Sequence, residues 1–442
     1  MRPTPSDTPR GFDGAVPFRG SLWPPPSKSL ALRALVCATL CGEPLRIVGI
    51  GGGMDVAAGV GLLASLGVEH SLEGGTLIAR GARQGGRLSW VSPSVVQVGE
   101  SGTLARMATA LLALCGDPRQ TVEVRGGGSL ARRRSPALLR ALERAGARVE
   151  VARSGGWPVT LRASVGAADL SLDHPSSSQE ASALLLALAG REGVGTLAVR
   201  GVLPSRPYLD MTCGVLAEMG VEVRSEREGD IERFTLRGPL RPPPGGFAIE
   251  ADASAGAVAL AAGCLSGGSV RVDGVGAGSL QGDVAIVAHL RAFGCGAGAE
   301  ADHLWAEGRP VRGAVCDLAG QPDLAPVLAV VAAGAAAAGF SSRLEGLQTL
   351  DGKESPRLRV LEASLRSLGF QARVSGVSLE LEPGGPRVAE TLLDPVGDHR
   401  MAFAQALLGL VSPGVRVTDP ACVGKSWPGF WEELPRLQHP GA

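Results

Sequence analysis

Apolar residues in this chain come in blocks of small side chains that end at a glycine, and the blocks recur at one spacing. One series closes at Gly42, Gly116, Gly190, Gly267, Gly339 and Gly414, at intervals of 74, 74, 77, 72 and 75 residues. A second closes at Gly67, Gly146, Gly220, Gly294 and Gly369, at intervals of 79, 74, 74 and 75, and usually runs on into a stretch such as Val-Glu-Val. Apolar blocks that stop at glycine read as helices ended by a left-handed residue. The alternating stretches after them read as strands. The period predicts about six βα units of two helices each, longer than the usual solenoid repeat. Six units of that size fit two globular lobes of three, an α/β fold.

Leu240-Arg-Pro-Pro-Pro-Gly-Gly246 is the clearest hinge, after the third unit, and Trp23-Pro-Pro-Pro26 is its counterpart before the first. Two crossings predict one lobe over residues 27–245 and a second made of 1–26 with 246–442. A ligand cleft is expected between them.

Composition narrows the function. The 442 residues hold 43 Lys+Arg against 43 Asp+Glu, so no nucleic-acid footprint is expected and any anion site is local. Aromatics make up 4%, with Tyr208 the single tyrosine, which argues against base-stacking surfaces. Eight scattered cysteines without a Cys-x-x-Cys pair read as reduced core thiols, not as a metal site or disulfide framework. Met1 to Arg10 has no apolar signal core, and the longest apolar run, Leu324 to Phe340, is short and contains Pro326. A cytoplasmic protein without a membrane span is expected.

Candidate chemistry clusters where blocks begin. Three prolines hold the chain extended before Ser27-Lys28-Ser29, which opens a helix; a helix mouth with a hydroxyl and an ammonium favours an anion. Ser29 and Arg33 share one face of that helix. Val98-Gly-Glu-Ser-Gly-Thr-Leu-Ala-Arg-Met107 is a glycine loop in which Gly102 and Arg106 are one turn apart. Gly126 to Ala137 gathers Arg132, Arg133 and Arg134, and His174-Pro-Ser-Ser-Ser-Gln179 offers hydroxyls at another helix start. Ser205-Arg-Pro-Tyr-Leu-Asp210, Gln321-Pro-Asp323, Gly352-Lys-Glu-Ser-Pro-Arg357, Gly397-Asp-His-Arg-Met401 and Val423-Gly-Lys-Ser-Trp-Pro428 complete the set. Each alone is also explained as a cap or a solvated charge.

Taken together and in order from Ser27 to Lys425, these stretches resemble the enolpyruvyl transferases, and within them the branch that acts on shikimate 3-phosphate. The resemblance implies two lobes of three repeats joined by two crossings. It implies contacts to shikimate 3-phosphate from Lys28, Ser29, Arg33, Ser177, Ser178, Gln179, Ser205, Tyr208, Asp323 and Lys353, with Arg206 at a position usually basic. It implies a phosphoenolpyruvate pocket of Lys28, Gly102, Arg133, Gln179, Arg357, Arg400 and Lys425. Lys28, Asp323, Lys353 and Glu354 carry the implied catalytic roles: Asp323 as base for the 5-hydroxyl, Lys353 and Glu354 for the C3 proton, and Lys28 assisting the departing phosphate.

Two phosphates and two carboxylates must meet, which in a neutral protein demands convergent cations and helix mouths. No metal or redox cofactor is called for; the partners implied are two small anionic substrates, with no nucleic acid or membrane, acting on a monomer that closes on binding. Glycine at 102 leaves room for an inhibitor longer than phosphoenolpyruvate, so glyphosate sensitivity is expected. Glu100 stands where the family commonly has Asn, Pro356 where it has Asp, and Thr349-Leu-Asp351 departs from its usual Asn-Trp-Arg. In the arginine loop, the assignment lies between Arg133 and Arg134. The alternatives are the branch acting on UDP-N-acetylglucosamine and a diverged, inactive repeat protein that binds a ligand or partner.

Overall fold

The computed structural model describes residues 8–12, 16–84, 87–91, 93–164, 166–387 and 389–439; residues 1–7, 13–15, 388 and 440–442 of the expected second lobe lie outside them. Every glycine-ended block of the first series contains a helix: Lys28–Ala38, Gly102–Cys115, Ser178–Ala189, Ala253–Ser266, Ala325–Ala337 and His399–Val411. These helices are apolar around their whole circumference, and such helices have to be buried on every side. Burial is nearly complete, and the exceptions fall toward the ends. They are Lys28 and Ser29, then Thr103, Gln179, Ser254 and Arg400, with Cys115, Gly334, Ala337 and Val411 at or near the far ends. Five of the six core helices therefore surface at the end where backbone N–H groups are unsatisfied and the dipole is positive.

The second series holds the helices Met54–Ser65, Pro136–Arg144, Pro207–Glu218, Ile286–Ala292 and Arg357–Ser367. All five of its glycines are left-handed, as the spacing predicts. In the first series Gly267, Gly339 and Gly414 are left-handed, but Gly42, Gly116 and Gly190 are not. At the last two space is short: a Cβ would strike the Leu112 carbonyl oxygen at 116 and the Leu40 side chain at 190.

The strands repeat as well. Five four-stranded sheets share one order, a parallel pair followed by two antiparallel pairings. Thr121–Arg125, for example, pairs in parallel with Val95–Gln97 and antiparallel with Val159–Arg162, which pairs in turn with Arg148–Val151. The sixth repeat keeps the parallel pair alone, Thr391–Leu393 on Val415–Val417.

The chain divides into two compact units, Pro26–Glu250 and a second that joins the segment up to Pro25 to the segment from Ala251 on. In each, the sheet of one repeat is completed by a remote edge strand. Phe247–Ala248 pairs with Leu45–Val48 in the first unit, and Arg19–Leu22 with Ser269–Asp273 in the second. The first unit therefore runs past the composition break at Gly246. The second unit's core joins Phe12 and Phe18 to the helices Ala253–Ser266, Ala325–Ala337 and His399–Val411. All eight cysteines are free thiols, five of them buried. No helix among the described residues is long and apolar enough to cross a membrane.

Candidate active site

Each unit carries a polar cluster built on helix starts. In Pro26–Glu250 three serines cap three core helices: Ser27 accepts from Leu30 N, Ser101 from Leu104 N and Ser177 from Gln179 N. Directly after these caps come Lys28, Gly102 and Ser178-Gln179. Lys28 Nζ lies 3.2 Å from Asp55 Oδ2, and the Asp55 side chain is 5% exposed. Asp55 sits in the first turn of Met54–Ser65, so two helix mouths face one ion pair. Sequence reasoning missed Asp55, because nothing local marks an acid in a Gly-Gly-Gly-Met-Asp run as the partner of a lysine 27 residues earlier.

Arg133 is buried and packs on Gly102 so tightly that a Cβ at 102 would collide with its guanidinium. Position 102 is therefore closed to side chains while Arg133 holds this place. Arg134 is exposed and lies beside Gly155, so Arg133 is the arginine at the helix mouth. Arg106 donates to Gly102 O at 2.8 Å and to Gln179 Oε1 at 3.0 Å, and Gln179 Nε2 donates to Thr103 Oγ1 at 3.0 Å. Both ends of the Gln179 amide are thereby fixed. Ser205 is left-handed (φ 54) and nearly buried before Pro207–Glu218, where Tyr208 stands in the first turn. Such strain persists where surrounding structure imposes it, commonly at functional loops.

Arg33 differs from the expectation. It is 1% exposed, and its donors go to Ser29 O, Tyr208 O and Thr212 Oγ1, each at 2.8 Å. Burial pushes its pKa down to about 10, with Tyr208 opposing, so it stays cationic near neutrality. Arg33 ties the segment carrying Ser29 to the segment carrying Tyr208 and presents no open cationic face. Arg206 is paired with Asp210 and Glu232, each at 2.7 Å. Glu100 is exposed and leans on Gly128.

The second unit gathers four cations on three carboxylates. Asp323 takes Arg357 Nη1 at 2.9 Å, Arg400 Nη2 at 2.9 Å and Lys353 Nζ at 3.5 Å. Glu354 bridges Arg357 Nη2 at 2.8 Å and Lys425 Nζ at 3.3 Å. Asp398 is fully buried; it takes Arg357 Nε at 2.8 Å and Nη2 at 3.2 Å, receives the Ser355 hydroxyl at 3.1 Å, and caps His399–Val411 through Arg400 N. Arg357, 1% exposed, is thus the hub of three carboxylates. Burial alone would lower its pKa, but Asp398, Glu354 and Asp323 raise it above the ordinary value. A serine followed by a proline at a helix start commonly serves as N-cap and first helical residue, as Ser355-Pro356 could. Instead Pro356 is the cap position, Ser355 turns to Asp398, and Asp351 Oδ1 accepts from Leu358 N at 3.1 Å. Asp351, one of the departures from the family pattern, is therefore the side chain that serves the helix start.

Burial would raise the Asp323 pKa, but Arg400, Lys353 and Arg357 overcome it and hold the carboxyl well below the usual range. A depressed carboxyl stabilises the fold above its unfolded pKa of about 3.9, and that stabilisation is lost as pH falls through the folded value. Denaturant unfolding of the wild type and Asp323→Asn from about pH 7 to about pH 3 is expected to show a stability gap that is constant near neutrality and shrinks below about pH 4. A gap of constant size down to the lowest pH would contradict the assignment.

What this arrangement can do follows from the charges. Bound phosphates or carboxylates would compete with Asp323 and Glu354 for the same charge-assisted donors. Among the described residues no group of three or more His, Cys, Asp or Glu is placed to hold a metal ion.

A family model described as EPSP synthase (3-phosphoshikimate 1-carboxyvinyltransferase) matches residues 12–434. The chain is 31% identical over 427 residues to the 3-phosphoshikimate 1-carboxyvinyltransferase of Shewanella amazonensis, covering 94% of this chain and 96% of that protein. It is 30% identical over 423 residues to the protein of that name from Pectobacterium carotovorum, covering 95% and 96%. The fold is that of the EPSP synthase from Acinetobacter baumannii, with TM-score 0.76 at 22% identity over 96% of this chain and 97% of the other. The enolpyruvyl transferase NikO from Streptomyces tendae shares it, with TM-score 0.71 at 18% identity over 96% of each chain.

Proposed function

The chain belongs to the EPSP synthase family, and on that premise we propose which of its residues do what. The reaction transfers the enolpyruvyl group of phosphoenolpyruvate to the 5-hydroxyl of shikimate 3-phosphate and releases phosphate. Both substrates are small and multiply anionic. The observation that carries the residue assignment is the cluster of Lys353, Arg357, Arg400 and Lys425 on Asp323, Glu354 and Asp398.

Asp323 accepts the 5-hydroxyl proton as that oxygen attacks C2 of the enol. Held far below the ordinary carboxylate range it is ionised but a weak base. It strengthens as Arg400 and Lys353 turn from it to substrate anions. Lys353 and Glu354 handle the C3 proton: one is delivered as C2 becomes tetrahedral and one is removed as phosphate leaves C2. Lys28, at a helix mouth beside Asp55, neutralises the departing phosphate. Gly102, Arg133, Gln179, Arg400 and Lys425 hold phosphoenolpyruvate. Ser29, Ser177, Ser178, Ser205 and Tyr208 hold shikimate 3-phosphate. Arg33 and Arg357, buried as they are, act mainly by positioning Ser29, Tyr208, Asp323 and Glu354.

Proton transfers and phosphate departure require acids, bases and cations, and this reading assigns no metal or redox cofactor. It treats the protein as a cytoplasmic monomer; the equal numbers of acidic and basic residues support the absence of a nucleic-acid partner. The test is choice of acceptor. Purified protein is expected to release phosphate from phosphoenolpyruvate with shikimate 3-phosphate and not with UDP-N-acetylglucosamine. Release with the nucleotide sugar alone, or with neither acceptor, would overturn the reading.

A further inference from the structure

Arg400 is gripped from two sides. Its Nη2 donates to Asp323 Oδ2 at 2.9 Å and to Ser254 Oγ at 3.3 Å. The Ser254 hydroxyl donates in turn to Asp283 Oδ2, and Asp283 is 3% exposed. The direction of this chain matters. With its proton committed to Asp283, Ser254 offers Arg400 a lone pair, and the buried carboxylate polarises that oxygen toward the guanidinium.

The local structure is built to keep that direction. Ser254 is the one residue of Ala253–Ser266 that is not buried, the counterpart of Lys28, Thr103 and Gln179 in other repeats. Asp283 stands on the short turn Gly282–Ala285, immediately after Gln281. The Gln281 side chain accepts from Ala253 N at 3.0 Å and donates to Ala251 O at 2.7 Å, so the turn is pinned across the start of the helix that carries Ser254.

We propose that Asp283 is a positioning residue that holds Arg400 through Ser254 while Asp323 changes charge. This rests on the reading above, in which Arg400 binds phosphoenolpyruvate and Asp323 takes a proton. Once Arg400 turns from Asp323 to the substrate anion and Asp323 takes its proton, that carboxyl no longer holds the guanidinium in place. The Ser254–Asp283 chain takes no part in that proton transfer. It keeps the guanidinium in register with the phosphoenolpyruvate anion through the proton transfer.

Steady-state kinetics on four variants test this. Ser254→Ala and Asp283→Asn are each expected to raise KM for phosphoenolpyruvate about tenfold, the effect of one charged hydrogen bond, with KM for shikimate 3-phosphate within about twofold. The double variant is expected to be no worse than the poorer single one, because both changes break the same chain. Equal rises in both KM values, additive losses, or unchanged KM values in both single variants would overturn the proposal. Ser254→Ala, which removes one oxygen, serves as the measure if Asp283→Asn fails to fold. Arg400→Ala separates the two levels. If it leaves KM for phosphoenolpyruvate unchanged, the underlying assignment of Arg400 fails. If it raises that KM while the Ser254 and Asp283 variants do not, the positioning role alone fails.

Discussion

Lys28→Ala is expected to lower turnover by about a thousandfold, the loss typical of a group that stabilises transition-state charge, while the fold persists. Lys28 is the first residue of its helix and precedes the buried stretch that begins at Leu30, so its truncation opens little apolar core. The electrostatic change is large. Removing the ammonium leaves Asp55, 4% exposed, as an uncompensated negative charge beside the place assigned to the departing phosphate. The variant therefore loses an attraction and gains a repulsion. Adding Asp55→Asn removes the repulsion, so the double variant is expected to recover part of the loss. Turnover and thermal unfolding measured on both variants check this. A Lys28→Ala enzyme within about tenfold of wild type would remove Lys28 from the catalytic group.

Asp398→Ala is expected to destabilise the protein by about 3–5 kcal/mol, the range for breaking a buried ion pair by removing one partner. Asp398 is wholly buried and serves two structures at once. It takes two donors of Arg357, itself 1% exposed, and it caps His399–Val411. Ala removes both functions. Asn keeps a capping oxygen and loses the charge, so Asp398→Asn is expected to recover about 1 kcal/mol of the loss. With Asp398 gone, Arg357 pulls harder on Glu354 and Asp323, so turnover is expected to fall as well. Equilibrium denaturation gives the first quantity, and a loss below about 1 kcal/mol for Asp398→Ala would show that the hub is not structural.

Much of the scaffold was legible in the chain because its physics is local. A glycine after a small apolar block marks a helix end whatever surrounds it, and the regular interval between such blocks exposed six repeats. The strand that completes the first unit was not legible. Phe247–Ala248 is two residues long and its place follows from pairing with Leu45–Val48, two hundred positions away. The candidate site divided the same way. Lys28, Gly102, Gln179 and Arg400 stood out as candidates because they sit at helix starts, which the sequence marks with Ser27, Ser101, Ser177 and Asp398. Their partners were missed. Asp55, Asp283 and the bonding role of Asp398 exist only through tertiary contacts, and no periodicity announces them. The sequence also could not show that Arg33 and Arg357 are buried, since an arginine's exposure depends on what packs over it. Arg33 lies on a helix that is otherwise apolar after its first turn, and Arg357 lies on the buried face of an amphipathic helix, with Leu358, Leu361 and Leu365.

The central claim is that C2 of phosphoenolpyruvate is the centre attacked, by the 5-hydroxyl of shikimate 3-phosphate. The direct measurement uses phosphoenolpyruvate carrying heavy oxygen at the bridge between C2 and phosphorus, with mass spectrometry of both products. Attack at C2 breaks the carbon–oxygen bond, so the label is predicted to leave entirely with inorganic phosphate, and the acceptor gains an enolpyruvyl ether. Unlabelled phosphate, or label retained in a released pyruvate, would show attack at phosphorus and contradict the account.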